Sequence, residues 1–290
     1  MKLKLKGHQT FGLREGWIYK GLNAVKNDER IFSSNNAPDV MGVGSTMVKA
    51  IKYWLVAFKL MKYSQKNGYV LTEFGRCILD NDPYLEMNFT VCLLHYNIVK
   101  NISEAPSWYI FFNKCDIDYV NKKELENLMK INITGLFGDI DYSNKSLLSD
   151  INVMLNMYCK EKTVDPEDNK YSPLSELKLM YKSEDNYYKR CIDSKRIDLD
   201  IILYIILKYK EDNDVNTISI DNLYKDVNGL GNIYNMSRIM INMYLDELDN
   251  LEYIKVDRTA GLDVINILTD KSGSDVINDF YNNHSERQEI

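Results

Sequence analysis

Residues 41–58, MGVGSTMVKAIKYWLVAF, decide how this chain is read. On a 3.6-residue repeat, Met47, Ala50, Ile51, Trp54, Ala57, Phe58 and Met61 fall in one arc of the circumference, which predicts a helix with a core-facing stripe. Ser45, Lys49, Lys52, Val56, Lys59 and Tyr63 form the outer face, with Thr46 and Tyr53 beside it. Half of those outward positions are lysine and none is acidic, in a protein whose formal net charge is -6. Two readings follow: a solvated helix face, or a face presented to a polyanion. Gly42 and Gly44 suit a tight turn before the helix. Ser45 is expected to cap an N-terminus whose free N–H groups hold a phosphate. The strand and lysine of a nucleotide-binding loop are missing, so that phosphate belongs to DNA and not to ATP.

The flanking residues place this helix in a fold. Upstream, REGWIYKGLNAVK (14–26) has the spacing of an amphipathic helix burying Trp17, Ile18, Leu22 and Val25, and a shorter helix is expected near 28–35, ended by the breaker Asn36-Ala37-Pro38. Downstream, KLMKYSQKNGYVLTEFGRCIL (59–79) reads as strand, a Lys66-Asn67-Gly68 turn, a returning strand and a short helix. Helix, short helix, long helix and hairpin is the order of a winged helix-turn-helix, whose last helix enters the major groove. The expected DNA contacts are Gly44, Ser45, Lys49, Lys52 and Lys59, with Lys66 reaching a flanking groove from the wing.

Composition agrees with a soluble globular protein: 45% hydrophobic and 27% charged residues, with no apolar run long enough to span a bilayer. The opening MKLKLKGHQT has no apolar core of signal-peptide length, so a cytoplasmic protein with no membrane partner is expected. Five scattered cysteines suit reduced core thiols better than disulfides or a zinc site, and three histidines make a histidine-rich metal centre improbable. Charge is divided: residues 1–80 carry 13 Lys+Arg against 6 Asp+Glu, leaving 23 against 36 for the remainder. A basic front end that meets a polyanion, attached to an acidic body that does not, accounts for that division.

Several blocks, in order, resemble the bacterial domain-of-unknown-function family number 4007: GHQTFGLREGWIYKG (7–21), GVGSTMVKAIKYW (42–54), LTEFG (71–75), DPYLE (82–86), LLHYNI (93–98), PSWYIFFN (106–113) and EDNKYSPLSELKLM (167–180). The resemblance runs from about residue 7 to about 270, with Tyr96 where the family often has tryptophan. It implies a component of DNA phosphorothioate modification and restriction systems, working with other proteins of that system, and a form similar to its DNA-nicking component. It carries no catalytic residue set. His8, Gln9 and Arg14 are candidates for DNA contact or catalysis because they stand in the first block. Asp165, Glu167 and Asp168 form an acidic loop, in one reading merely solvated and in the other holding the Mg²⁺ or Mn²⁺ that phosphodiester cleavage commonly needs.

The expected fold class is mainly α. Its parts are a winged helix-turn-helix at 1–82, a helical bundle at 83–163, a linker with the acidic loop at 164–198, a winged-helix-like domain at 199–272 and a tail at 273–290. In the bundle, Leu85, Phe89, Cys92, Leu93 and Tyr96 are expected on one side, with His95 and the Trp108 cluster in the core. In the last domain the third helix ends in Asp246, Glu247 and Asp249, which repel phosphate. That domain is therefore read as a protein contact or homodimer interface. The functions in view are a duplex-binding, nicking component of a phosphorothioation system, or a non-catalytic regulator or scaffold on DNA.

Overall fold

In the computed structural model, which describes residues 3–159 and 171–288, the 14–26 periodicity is realised as α1 (Trp17–Asn27), with Trp17, Ile18, Leu22 and Val25 buried. A 3-10 turn at Ile31–Ser33 follows, and then α2 (Ala37–Met41). Here the expectation is corrected. Pro38 does not end a helix but opens one, because in the first turn its missing N–H has no partner to lose and its fixed φ is already helical. Next come α3 (Ser45–Ala57) and a hairpin of β1 (Met61–Ser64) and β2 (Gly68–Leu71), with Ser64 opposite Gly68.

The LTEFG block is a stitch. Thr72 caps α4 (Glu73–Asn81) by accepting from the Gly75 amide, and its own hydroxyl donates to the Lys59 carbonyl. Gly75 is there for closeness: a Cβ at this position would lie 1.9 Å from the Leu60 carbonyl oxygen.

α5 (Asn88–Lys100) was expected to be one-sided, yet every residue from Phe89 to Val99 is buried. A helix without a polar face is enclosed on all sides, and the polar members find partners inside. His95 Nδ1 lies 2.7 Å from the Tyr158 hydroxyl, and Asn101, just past the end of the helix, donates to the Ala57 carbonyl. α6 (Pro106–Lys114), β3 (Tyr119–Asn121), α7 (Lys122–Phe137) and α8 (Asn144–Cys159) follow, then β4 (Met180–Ser183) and β5 (Asn186–Lys189). These strands form an antiparallel sheet in the order β3-β5-β4. Residues 180–189 are thus a hairpin and not a linker, and the region read as a helical bundle contains a strand. Strands of three or four residues give too little alternation to register in sequence, and only their pairing stabilises them.

Lys189, at the end of β5, is held inward. Its Nζ donates to the carbonyls of Cys115 (2.7 Å) and Phe111 (3.1 Å) and sits 4.9 Å from the Phe111 ring centroid. Burial lowers its pKa from 10.5 to about 8, against the opposing pull of Cys115, Asp116 and Asp118. The folded state therefore releases its proton before the unfolded chain does, and stability contributed by this group rises as pH climbs from about 8 to 10.5. Urea unfolding across that interval should show the rise in the native protein and lose it in Lys189→Met.

Contacts divide the chain into two compact units, Met1–Arg190 and Cys191–Ile290. The second contains α9 (Leu199–Asn213), β6 (Thr217–Ser219), α10 (Ile220–Lys225), α11 (Leu230–Ile233), α12 (Arg238–Asn250), β7 (Ile254–Asp257), β8 (Val264–Ile267) and α13 (Gly273–Gln288). Its sheet order, β6-β8-β7, matches that of β3-β5-β4: in each, a strand ahead of the helices pairs with the second arm of the later hairpin. The expected tail is in fact α13, whose Val276, Ile277, Phe280 and Tyr281 are buried and which packs on α9. That i, i+1, i+4, i+5 spacing is an apolar helical stripe. No helix among the described residues is long and apolar enough to cross a membrane, and all five cysteines are free thiols.

Candidate nucleic-acid interface

The inner side of α3 is wider than the expected stripe. Val48, Tyr53 and Leu55 are buried along with Ala50, Ile51, Trp54 and Ala57, while Met47 is only half-buried. The outer side is left to Ser45, Thr46, Lys49, Lys52 and Val56. Lys49 is exposed. Lys52 is half-buried, its Nζ 4.7 Å from the centroid of Tyr69 on β2. Tyr69 in turn meets the rings of Tyr63 (5.4 Å) and Phe32 (5.8 Å) edge-on, so the hairpin fixes the direction of Lys52.

Lys59 is exposed, but it does not belong to the helix face. At φ 60° it is the left-handed residue that ends α3. Its amide bonds to Val56 O (3.0 Å) and the Leu60 amide reaches back to Leu55 O (2.8 Å), the paired bonds of a Schellman ending with lysine where glycine is usual. Lys66 is exposed in the hairpin loop, where its carbonyl accepts from Arg30 Nη2 at 3.4 Å. Among the described residues no carboxylate pairs with Lys49, Lys52 or Lys66.

Two residues that the sequence reading passed over, Arg30 and Lys62, join this surface, and Tyr63, expected on the helix face, reaches it from β1. Arg30 arrives because the Tyr69 amide donates to the Glu29 carbonyl at 2.8 Å, tying residues 28–30 to the hairpin. Lys62 and Tyr63 are exposed on β1, Tyr63 at 66%. Strand alternation was the available signal for β1; for Arg30 there was none, since only a tertiary bond brings it in.

At the start of α3 the cap differs from expectation. Gly44 is the N-cap and Ser45 the first helical residue, and no side chain bonds the leading amides. The two glycines also differ. Gly42 ends α2 at φ 60°, whereas Gly44 has φ -64° and ψ 154°, which any residue adopts, and a Cβ there meets nothing within 4 Å. Gly44→Asp should therefore raise the thermal midpoint slightly, since an aspartate cap exceeds glycine by a few tenths of a kcal/mol. The same change should weaken duplex binding by putting a carboxylate where a phosphate is expected, so melting and fluorescence anisotropy should move in opposite directions.

The first-block candidates sit elsewhere. His8 is fully buried, stacked on Trp54 (5.8 Å) and flanked edge-on by Tyr53 and Trp108. Its Nδ1 accepts from the Thr10 amide (3.1 Å), which leaves Nε2–H to donate to Asp150 Oδ1 (2.9 Å). Asp150 also accepts from the Lys6 amide (2.8 Å) and the Ser107 hydroxyl (2.7 Å). This histidine has no route to a phosphodiester; it pins the N-terminal segment to α3, α6 and α8. Gln9 is half-buried in a left-handed turn at φ 53°. Arg14 is half-buried between the rings of Phe11 (5.5 Å) and Trp17 (5.3 Å), and burial lowers its pKa. Asp165, Glu167 and Asp168 lie outside the described residues. Among the described residues no three His, Cys, Asp or Glu are grouped to hold a metal ion.

Three of the quoted blocks converge on a cavity of about 570 Å³ in the first unit, where Glu15 and Gly16 meet Tyr84–Glu86 and the Tyr171–Pro173 stretch. Its carboxylates, Glu15, Glu86 and Glu176, disfavour a phosphate there.

The family model for "Protein of unknown function (DUF4007)" matches residues 5–281, and the chain belongs to that family. Two solved structures share the fold. One, described as a magnesium ion-bound SspB crystal structure, has a TM-score of 0.86 at 23% identity over 97% of this chain and 89% of that one. The other, an SspB crystal structure, has a TM-score of 0.85 at 24% identity over the same shares. No curated protein sequence matches.

Proposed function

We propose that this protein is the DNA-binding component of a bacterial phosphorothioation modification and defence system, engaging duplex DNA through α3 and the β1–β2 hairpin. The observation that carries the reading is the cationic face of Lys49 and Lys52, neither paired with a carboxylate among the described residues, with Lys59, Lys62, Lys66 and Arg30 on its border. In this reading residues 1–82 are a winged helix-turn-helix with α3 in the major groove, and the Gly44 amide and Ser45 take a backbone phosphate. Among the described residues, α6 to β5 and α9 to β8 repeat the order helix, strand, helices, hairpin, and we read both as winged-helix-like. Neither offers a comparable face. In α8, Leu147, Asp150, Ile151, Met154 and Tyr158 are buried in the first unit. In α12 the exposed side carries Ile239, Met243, Asp246 and Glu247. The division of charge follows the same line: formal counts give 26 Lys+Arg against 23 Asp+Glu for residues 1–190, and 10 against 19 for 191–290.

Nicking is part of the proposal through the family resemblance, and magnesium through the ion-bound SspB structure. Among the described residues no three His, Cys, Asp or Glu are grouped to hold the ion. The second reading, a regulator or scaffold that binds without cutting, is favoured by the enclosure of His8. Two measurements decide. Duplex binding should weaken steeply with salt, and absence of a gel shift at low salt overturns the DNA-binding reading. Supercoiled plasmid with Mg²⁺ or Mn²⁺ should give open-circular product; binding without that product leaves the scaffold.

A further inference from the structure

In the second unit α12 buries Ile241, Leu245 and Leu248 on one side. On the other, Ile239 is 76% and Met243 67% exposed, one turn apart. The β7–β8 hairpin borders this apolar pair. Arg258 of the hairpin donates to Asp246 (2.8 Å) and Asn242 (3.3 Å), and Arg238 is ion-paired with Asp263, next to Leu262, itself 52% exposed. Cations on the rim are already engaged: Arg238 by Asp221 and Asp263, Arg258 by Asp246, Lys255 by Asp249. Glu247 is exposed beside them.

We infer that the outer face of α12 is a docking surface for a basic protein partner that presents aliphatic side chains ringed by lysine or arginine. Ile239 and Met243 supply the apolar anchor and the surplus carboxylates supply selection. Charge separates this occupant from the others. The unit carries 10 Lys+Arg against 19 Asp+Glu, so a second copy meets like charge and a duplex meets its own sign. The helix stands after a helix pair and ahead of a hairpin, as α3 does in the first unit, but its exposed chemistry is the reverse.

The test uses the full chain and two labelled amphipathic helical peptides of one pattern, one of leucine and lysine, the other of leucine and glutamate. In fluorescence anisotropy the lysine peptide should bind and the glutamate peptide should not. The double variant Ile239→Ser, Met243→Ser should bind the lysine peptide about tenfold or more weakly, with an unchanged thermal midpoint because both side chains face solvent. Equal binding by the variant, binding of both peptides, or no binding by the native chain overturns the proposal. So does a dimer in sedimentation velocity that the double variant abolishes, which would assign the face to a second copy. Loss of duplex binding in that variant would assign it to DNA and overturn the proposal equally.

Discussion

The double variant Lys49→Glu, Lys52→Glu should bind duplex DNA about a hundredfold more weakly than the native protein near 0.1 M salt, with a salt dependence shallower by about two phosphate contacts. Both side chains leave the same face of α3, and neither is paired with a carboxylate among the described residues. Each is thus free to release a counterion on meeting a phosphate, worth about tenfold in this salt range. Glutamate and lysine have nearly equal helix propensity, so α3 itself is kept. The one structural loss is the stacking of Lys52 on Tyr69, about 0.5–1 kcal/mol. A modest fall in melting temperature with a large fall in affinity is the expected pair of results. Native affinity in this variant would remove α3 from the interface. Lys59→Gly is a useful companion, because glycine relieves the left-handed backbone at φ 60° and separates any loss of binding from loss of stability.

What the sequence shows of this fold depends on how far each signal reaches. A 3.6-residue apolar repeat is local and strong, so α1 and α3 stand near their expected bounds. Backbone conformation is not written into side-chain chemistry. Lys59 continues the helical spacing of Lys52 perfectly well, and nothing in its identity announces that the chain has turned left-handed there. Pro38 illustrates the same limit from the other side: proline ends a helix in its interior and begins one in its first turn, and only the hydrogen bonds around it tell which. Non-local pairing is harder still. β3 and β5 are separated by two helices, and three residues of alternation carry no message until Tyr119 faces Tyr188 across the sheet. The candidate interface divides along this line too. Lys49 and Lys52 were readable from periodicity, whereas Arg30 comes to the hairpin through one backbone bond, and His8 is withdrawn from the surface by partners distant in sequence, Asp150 lying 142 residues away.

That withdrawal makes Asp150 the residue on which the first unit depends most. Asp150→Ala should destabilise the protein by about 3–5 kcal/mol, because it leaves three donors without an acceptor: the buried His8 Nε2–H and Ser107 hydroxyl and the part-buried Lys6 amide. The N-terminal segment then has no polar reason to stay against α8, and duplex binding falls with the folded fraction. Asp150→Asn should be far milder, about 1–2 kcal/mol. Its Oδ1 still accepts from Lys6 and His8, while its amide group donates to Ser107 once the hydroxyl rotates to accept. The pair of variants also separates structure from chemistry. If His8 and Asp150 acted together as a proton-transfer device, the asparagine variant would fold and yet lose all nicking. If they are a core clasp, the asparagine variant keeps whatever DNA activity the native protein has and differs only in its urea midpoint, and the enclosure of His8 by Tyr53, Trp54 and Trp108 requires that second outcome.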